Sequence, residues 1–354
     1  MTSGRRLRLG AFVAALALFV AGTGGWAQTG APRLTGRTLT IATFGGAFLE
    51  ADQRNFGDPF SQETGAKVTY IATAPATTAQ LIQQEQTGNV VWDLIENTDQ
   101  GAIILRDGGY LEKWPADVYT HMKLTSNPTD FDEYVLGAGA SSFVIACNSK
   151  LVAKCPATAK EFFDVRGFPG SRAIYGDPSW ATVLALEADG VPANKVFPMD
   201  LNRAFAKLRQ IKPSVKVWPT TSAQAQQLLE DGETAISFLA HGRAYIVKKS
   251  NPAIKVSWDG SLYSGGGLMM PKKSPNRDVA IAFVHWYLDH PKNQAGWSQA
   301  LSYPTPTKQL LKLLPPDVAD AMPTAHKSLA RDAGWLAANN DTLQKMWQQF
   351  ITGQ

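Results

Sequence analysis

Three groups of side chains in this sequence could act on a small charged molecule. Arg243, with His241 just before it, follows an apolar run that ends at Leu239. A guanidinium clamps a carboxylate or phosphonate through two parallel hydrogen bonds. Asp177 and Trp180 lie three residues apart, a carboxylate and an indole that together can hold an ammonium by charge and cation–π attraction. Phe44-Gly45-Gly46 sets a flat aromatic beside backbone amides, which suits a cationic or zwitterionic solute. Each group also has a plainer structural reading. Asp177-Pro178 is an ordinary helix start, a charged residue such as Arg243 is usually solvated, and Phe44 with two glycines makes a tight turn around a buried ring.

The motifs of catalysis are missing. There is no GxSxG elbow, HExxH pair, GxGxxG fingerprint or phosphate loop, so the sequence calls for binding rather than turnover and implies no cofactor. Five histidines are scattered. Cys147 and Cys155 belong to no CxxC pair and have no histidine nearby, so no metal site is expected. Eight residues apart, they could close a small loop in an oxidising compartment, or remain two unlinked thiols.

The elements that would position these residues follow from periodicity. Thr38 to Thr43 alternates as a strand and stops at Phe44-Gly45-Gly46; Phe48 to Phe60 is helical, with Gly65 as its stop. Val68 to Ile71 predicts a strand, Pro75 to Gly88 a helix, Val90 to Ile95 a strand, and Gly101 to Asp107 a helix. The second half repeats the theme with strands at Phe143–Cys147, Ala173–Tyr175, Val215–Trp218 and Thr234–Leu239. Helices are predicted at Trp180–Ala188, Leu201–Ile211 and Ser222–Glu230. A long helix runs through Ala280 to Leu288, and the last third reads as mostly helical. Alternating strands and helices predict an α/β chain with doubly wound sheets.

The N-terminus carries Arg5, Arg6 and Arg8, an apolar run from Leu9 to Val20, and the small residues Gly22, Gly24, Gly25 and Ala27. That is the layout of a secretory signal peptide, residues 1–27, cleaved after Ala27 or a few residues later. Its removal takes away three arginines and no acid, so the formal charge falls from +4 to +1. A nearly neutral chain without a basic stripe argues against nucleic acid as a partner. The remaining chain of about 327 residues suggests two domains of ordinary size.

Six segments carry a resemblance to a known family. They are Thr43-Phe44-Gly45-Gly46, Trp92-Asp93-Leu94-Ile95, Gly108-Gly109-Tyr110-Leu111, Val144 to Asn148, Gly265 to Pro271, and Tyr303-Pro304-Thr305-Pro306. In this order the chain resembles the periplasmic solute-binding proteins of ABC importers, in the branch that includes the spermidine and putrescine binders. The resemblance implies two doubly wound α/β lobes joined by crossover hinge segments, as in type II periplasmic binding proteins. Lobe one would be 38–139 plus 265–301, and lobe two 140–264 plus 302–354. It also implies a monomer in the periplasm that closes by hinge bending on a small-molecule ligand and delivers it to an inner-membrane permease.

Carried over by position, the resemblance places Phe44, Gly45 and Gly46 at the cleft, with Asn97 and Asp99 after the third strand. Asn97-Thr98-Asp99 could equally be a helix N-cap. Asp177 and Trp180 fall where the polyamine binders keep two acids, so Trp180 replaces one of them. His241 and Arg243 lie beside Ala240, which stands where those binders present an aromatic residue. The stretch Tyr263-Ser264-Gly265-Gly266-Gly267 has glycines in place of another acid. Tyr263 and Tyr303 would wall the cleft or pack at the hinge. Ferric-ion binders of this fold use adjacent tyrosines, whereas Tyr263, Tyr287 and Tyr303 are isolated. Two acids fewer and one arginine more shift the expected ligand from a bare polyamine toward an ω-amino acid or aminophosphonate; the alternatives are another small organic or inorganic solute on the same fold, or a two-lobed periplasmic enzyme.

Overall fold

A computed structural model describes residues 1, 33–326 and 328–353. The expected export signal, beyond Met1, lies outside the described residues. In chain order the strands are β1 (Thr38–Thr43), β2 (Lys67–Ala72), β3 (Leu94–Thr98), β4 (Leu111–Glu112), β5 (Leu136–Gly137) and β6 (Ser141–Asn148). Then come β7 (Arg172–Ile174), β8 (Val215–Val217), β9 (Ile236–Ala240), β10 (Ile254–Ser257), β11 (Leu262–Ser264), β12 (Gly266–Pro271) and β13 (Leu329–Ala330).

They form two sheets. The first runs β2-β1-β3-β12-β4 with β5 beside β12, and the second β13-β11-β6-β9-β7-β8 with β10 beside β6. Pairing is parallel among β2, β1 and β3 and among β9, β7 and β8. Those are the strands with helical crossovers, as the alternating pattern requires. The chain passes between sheets from β5 to β6, again from β11 to β12, and a third time between β12 and β13.

Most elements form where the periodicity puts them. Leu39 and Ile41 of β1 are fully buried, and the helical stretch after it buries Phe56 and Phe60 before stopping at Gly65 in the left-handed conformation. That stretch is not uniform: Ala47–Asp52 and Asp58–Thr64 flank a π-helical turn at Gln53–Gly57. Helix Leu201–Ile211 is capped by Asp200 and buries Phe205, Leu208 and Ile211, each worth about 1.5–3 kcal/mol. The third strand departs from expectation, starting at Leu94 rather than Val90. Val90 to Asp93 form a connection in which the Asp93 carboxylate accepts from the amides of Thr40 (2.7 Å) and Asn276 (2.7 Å). The C-terminal third is mostly helical, and β13 also pairs with β11.

Each sheet has its own core. Phe60, Phe283 and Trp297 centre the first, while Trp180, Phe205 and Trp347 centre the second. Helix Asn340–Thr352 folds back to seal the second core with Leu343, Trp347 and Phe350. Of the two readings of the cysteines, the structure takes the linked one: Cys147 on β6 is bonded to Cys155, with 5.7 Å between their Cα atoms. Closing so short a loop restricts the unfolded chain by about 2–3 kcal/mol. Cys155→Ser should therefore lower Tm by roughly 3–5 °C, measured by thermal unfolding, and an unchanged Tm would contradict the entropic account.

Candidate functional site

A cleft of about 590 Å3 opens between the two sheets. Phe44 and Glu96 reach it from the first sheet, and Phe143, Asp177, Trp180 and Arg243 from the second. The crossovers contribute Gly139, Ser141 and Ser264 to Gly267. Gly266 and Gly267 have a steric reason to be glycine. A Cβ at Gly266 would meet the Asn97 carbonyl oxygen at 2.5 Å, and one at Gly267 would meet that of Leu136 at 2.1 Å. Only Gly265 has room for a side chain, so backbone packing accounts for much of the glycine run.

Arg243 stands in the first turn of helix His241–Ser250, immediately after β9. It is 2 % exposed. Its Nη2 donates to the Gly45 carbonyl oxygen at 2.9 Å, spanning the cleft, and Nη1 reaches Gln226 Oε1 at 3.4 Å. Its Nε has no partner, and no carboxylate among the described residues pairs with it. Gly242 makes this geometry reachable: a Cβ there would lie 2.5 Å from the Leu301 carbonyl oxygen and from the Tyr303 ring. Tyr303 is thereby pressed onto the helix start, between Phe48 and His241, and it lines the cleft.

Asp177 caps helix Pro178–Ala188 through one oxygen, which accepts from the Ser179 amide at 2.8 Å. The helix-start reading describes this oxygen; the other accepts no protein hydrogen bond among the described residues, and the residue lines the cleft. Trp180 lines it too, but with both faces covered. Phe143 stacks on it at 4.2 Å, and the Arg331 guanidinium lies 3.7 Å from its ring centre. Two groups that close occupy opposite faces, so the cation on this indole is Arg331, and an edge is what remains for a ligand. Phe44 lines the cleft and packs on Phe48, while Asn97 lines it with its amide nitrogen bonded to Thr78.

Five expected positions are placed elsewhere. Gly45 and Gly46 do not line the cleft; they touch the second sheet's helices, Gly45 through Arg243 and Gly46 beside Ala223. Asp99 turns to the crossover, accepting from Ser264 Oγ (2.7 Å) and the Gly265 amide (2.8 Å), while Thr98 serves as the N-cap. Tyr263 is held in β11 and lines a separate cavity on the far side of the crossovers. His241 is 1 % exposed and spent on structure, its Nδ1 accepting from the Ser142 amide (3.1 Å) and its Nε2 donating to the Ser302 carbonyl oxygen (2.9 Å).

Sequence reasoning missed three residues. Phe143 lay inside a predicted strand with no signal of its direction. Glu96 was hidden by the displaced strand boundary, although an acid at the end of an apolar run is a visible anomaly. Arg331, 5 % exposed and bonded to Ser179 Oγ (3.0 Å) and Ser264 Oγ (2.9 Å), gave no signal in a segment read as helical. Among the described residues no cluster of three or more His, Cys, Asp or Glu could hold a metal.

Burial pushes His241 down to about 4. The unfolded chain takes up that proton near 6.5 and the folded chain only near 4, so acidification through this window favours unfolding. Between pH 7.5 and 4.5, denaturant unfolding should show the wild type losing about 2–3 kcal/mol more than His241→Gln, which can keep both hydrogen bonds. Parallel losses in the two proteins would show that His241 is not buried neutral.

Comparison with known proteins agrees with this architecture. The profile of the bacterial extracellular solute-binding proteins matches residues 55–324. The gamma-aminobutyric acid-binding protein of Pseudomonas aeruginosa is 30% identical over 336 residues, covering 92% of this chain and 94% of that one. The spermidine/putrescine-binding periplasmic protein of Escherichia coli K12 is 22% identical over 275 residues, covering 74% and 77%. Among solved structures, the Atu4243 GABA receptor superposes with a TM-score of 0.78 at 29% identity, covering 89% of this chain and 97% of that one. No helix among the described residues is long and apolar enough to cross a membrane. With two α/β sheets facing each other across a cleft that fits a small solute, this chain belongs to the bacterial extracellular solute-binding proteins, the solute-binding components of ABC transporters.

Proposed function

We propose that the cleft captures a short ω-amino acid of the 4-aminobutyrate type, with its carboxylate on Arg243 and its ammonium on the acids of the cleft, Asp177 first among them. The observation that carries this reading is the guanidinium of Arg243, almost wholly removed from water, with Nε unpartnered and no carboxylate to balance it. A buried charge is costly until it is paired. An anionic group on the solute supplies the missing partner, and a bare polyamine does not. The 4-aminobutyrate-binding relative, similar over 92% of this chain, supports the same choice.

In this reading the protein works in the periplasm. The segments 38–139 plus 265–301 and 140–264 plus 302–354 move as lobes about the crossovers, and a permease reads the closed form. Binding alone is sufficient for that role, and no turnover is required. The cross-cleft bond from Arg243 to Gly45 then makes the ligand-holding residue part of closure itself, so solute and lobe contact stabilise one another.

Calorimetric titration should show 4-aminobutyrate and its one-carbon-longer homologue binding in preference to putrescine and spermidine. Arg243→Ala should weaken binding of the amino acid roughly 100-fold or more, with Arg243→Lys intermediate because the fork is lost and the charge kept. Asp177→Asn should weaken it about 10- to 100-fold. Putrescine binding tightly, and undiminished by Arg243→Ala, would overturn the proposal.

A further inference from the structure

Beneath the cleft, Thr43 of β1 bridges two acids. Its Oγ lies 2.8 Å from Asp52 Oδ2 and also within hydrogen-bond reach of Glu96 Oε2. A hydroxyl has one proton to donate. It can serve one carboxylate, so the other acid meets the same oxygen only as a protonated O–H donor. Asp52 and Thr43 are both 0 % exposed, whereas Glu96, on β3, lines the cleft. The second Asp52 oxygen accepts from Trp297 Nε1 at 2.6 Å.

The surroundings hold no cation against the pair. Thr43 faces it from β1, Asp52 and Phe56 from the helical stretch 47–64, and Trp297 from helix Pro291–Leu301. Tyr70 of β2 and Tyr287 of helix Arg277–Asp289 adjoin the small cavity behind Glu96. Both phenols are pushed up by burial and by the two acids, so they stay neutral. On the cleft side the charged side chains are Arg243 and Asp177, and Asp341 stands at the rim. Neither acid forms an ion pair among the described residues.

We propose that Asp52, Thr43 and Glu96 form a proton-sharing carboxyl pair under the cleft, and that an ammonium-bearing ligand binding at Glu96 expels the Glu96 proton while Asp52 keeps its own. In the free protein the carboxyl O–H is intact. On binding it breaks, the proton passes to buffer, and the ligand's ammonium takes its place beside the Glu96 carboxylate. Glu96 is then a binding residue and Asp52 a positioning one that sets when Glu96 can charge. Burial holds Glu96 up to about 7 and Asp52 well above its ordinary range, so exchange is felt across neutral pH. This rests on the amine-ligand reading above, and the experiment separates the two.

Titration calorimetry with 4-aminobutyrate at pH 6, in two buffers of different ionisation enthalpy, counts the protons released. We expect close to one per ligand at pH 6 and close to none above about pH 8, with affinity rising nearly tenfold per unit below about pH 6.5. Glu96→Gln should release none and bind at least about tenfold more weakly at pH 8. Asp52→Asn, which spares Glu96, should still bind and still release close to one proton at pH 6, because the proton exchanged is that of Glu96. Wild type releasing no proton at pH 6, or Glu96→Gln releasing as many, overturns the proposal. If 4-aminobutyrate fails to bind, the ω-amino acid reading falls and the same titration with putrescine decides the exchange. Proton release that Glu96→Gln abolishes upholds the exchange, and its absence overturns it.

Discussion

Between the two sheets lies a guanidinium that the protein has taken out of water without giving it a carboxylate. Arg243 reaches that position because β9 ends at Ala240 and Gly242 lets Tyr303 and the Leu301 carbonyl close in on the next turn. Its remaining protein partners are a carbonyl and an amide oxygen. Neutral acceptors satisfy hydrogen bonds but do not balance charge, and the interior strengthens whatever electrostatic interaction completes the site. The arrangement therefore favours an anion in the cleft before any detail of shape is considered.

The other charges divide between structure and ligand. Arg331 is also buried and its Nε is likewise unpartnered, but it is stacked on Trp180, bonded to two serines and 3.7 Å from Asp99, so its charge, unlike that of Arg243, is balanced inside the fold. Asp99 is likewise spent on the crossover. What faces the cleft is Arg243, the free oxygen of Asp177, Glu96 and, at the rim, Asp341. A zwitterion matches that set, and a dication leaves Arg243 unpaired beside a second positive charge. The glycines at the crossover have a steric role: Gly266 and Gly267 let β12 pass against two carbonyls.

The fold was legible in the sequence because its signals are local. Leu39 and Ile41 alternate, Phe205 and Leu208 recur at helical spacing, and Gly65 and Gly88 stop their helices with left-handed backbone. The third strand misled because Val90, Val91 and Trp92 look like a strand core, whereas the buried Asp93 carboxylate holds that segment by binding distant amides. The site was only partly legible for a related reason. Residue type pointed to Arg243 and Asp177, and strand ends pointed to Phe44 and Asn97. Nothing local says that His241 turns inward to Ser142 and Ser302, that Arg331 arrives from the far end of the chain onto Trp180, or that Thr43 joins Asp52 to Glu96. Apart from Thr43 with Asp52, those contacts join residues far apart in the chain.

A crystal structure with 4-aminobutyrate bound tests the central claim most directly. The account predicts the ligand carboxylate within hydrogen-bond distance of Arg243, engaging the unpartnered Nε, with the ammonium toward Glu96 or Asp177. A ligand lying the other way round, or one that leaves Arg243 without an anionic partner, would contradict it.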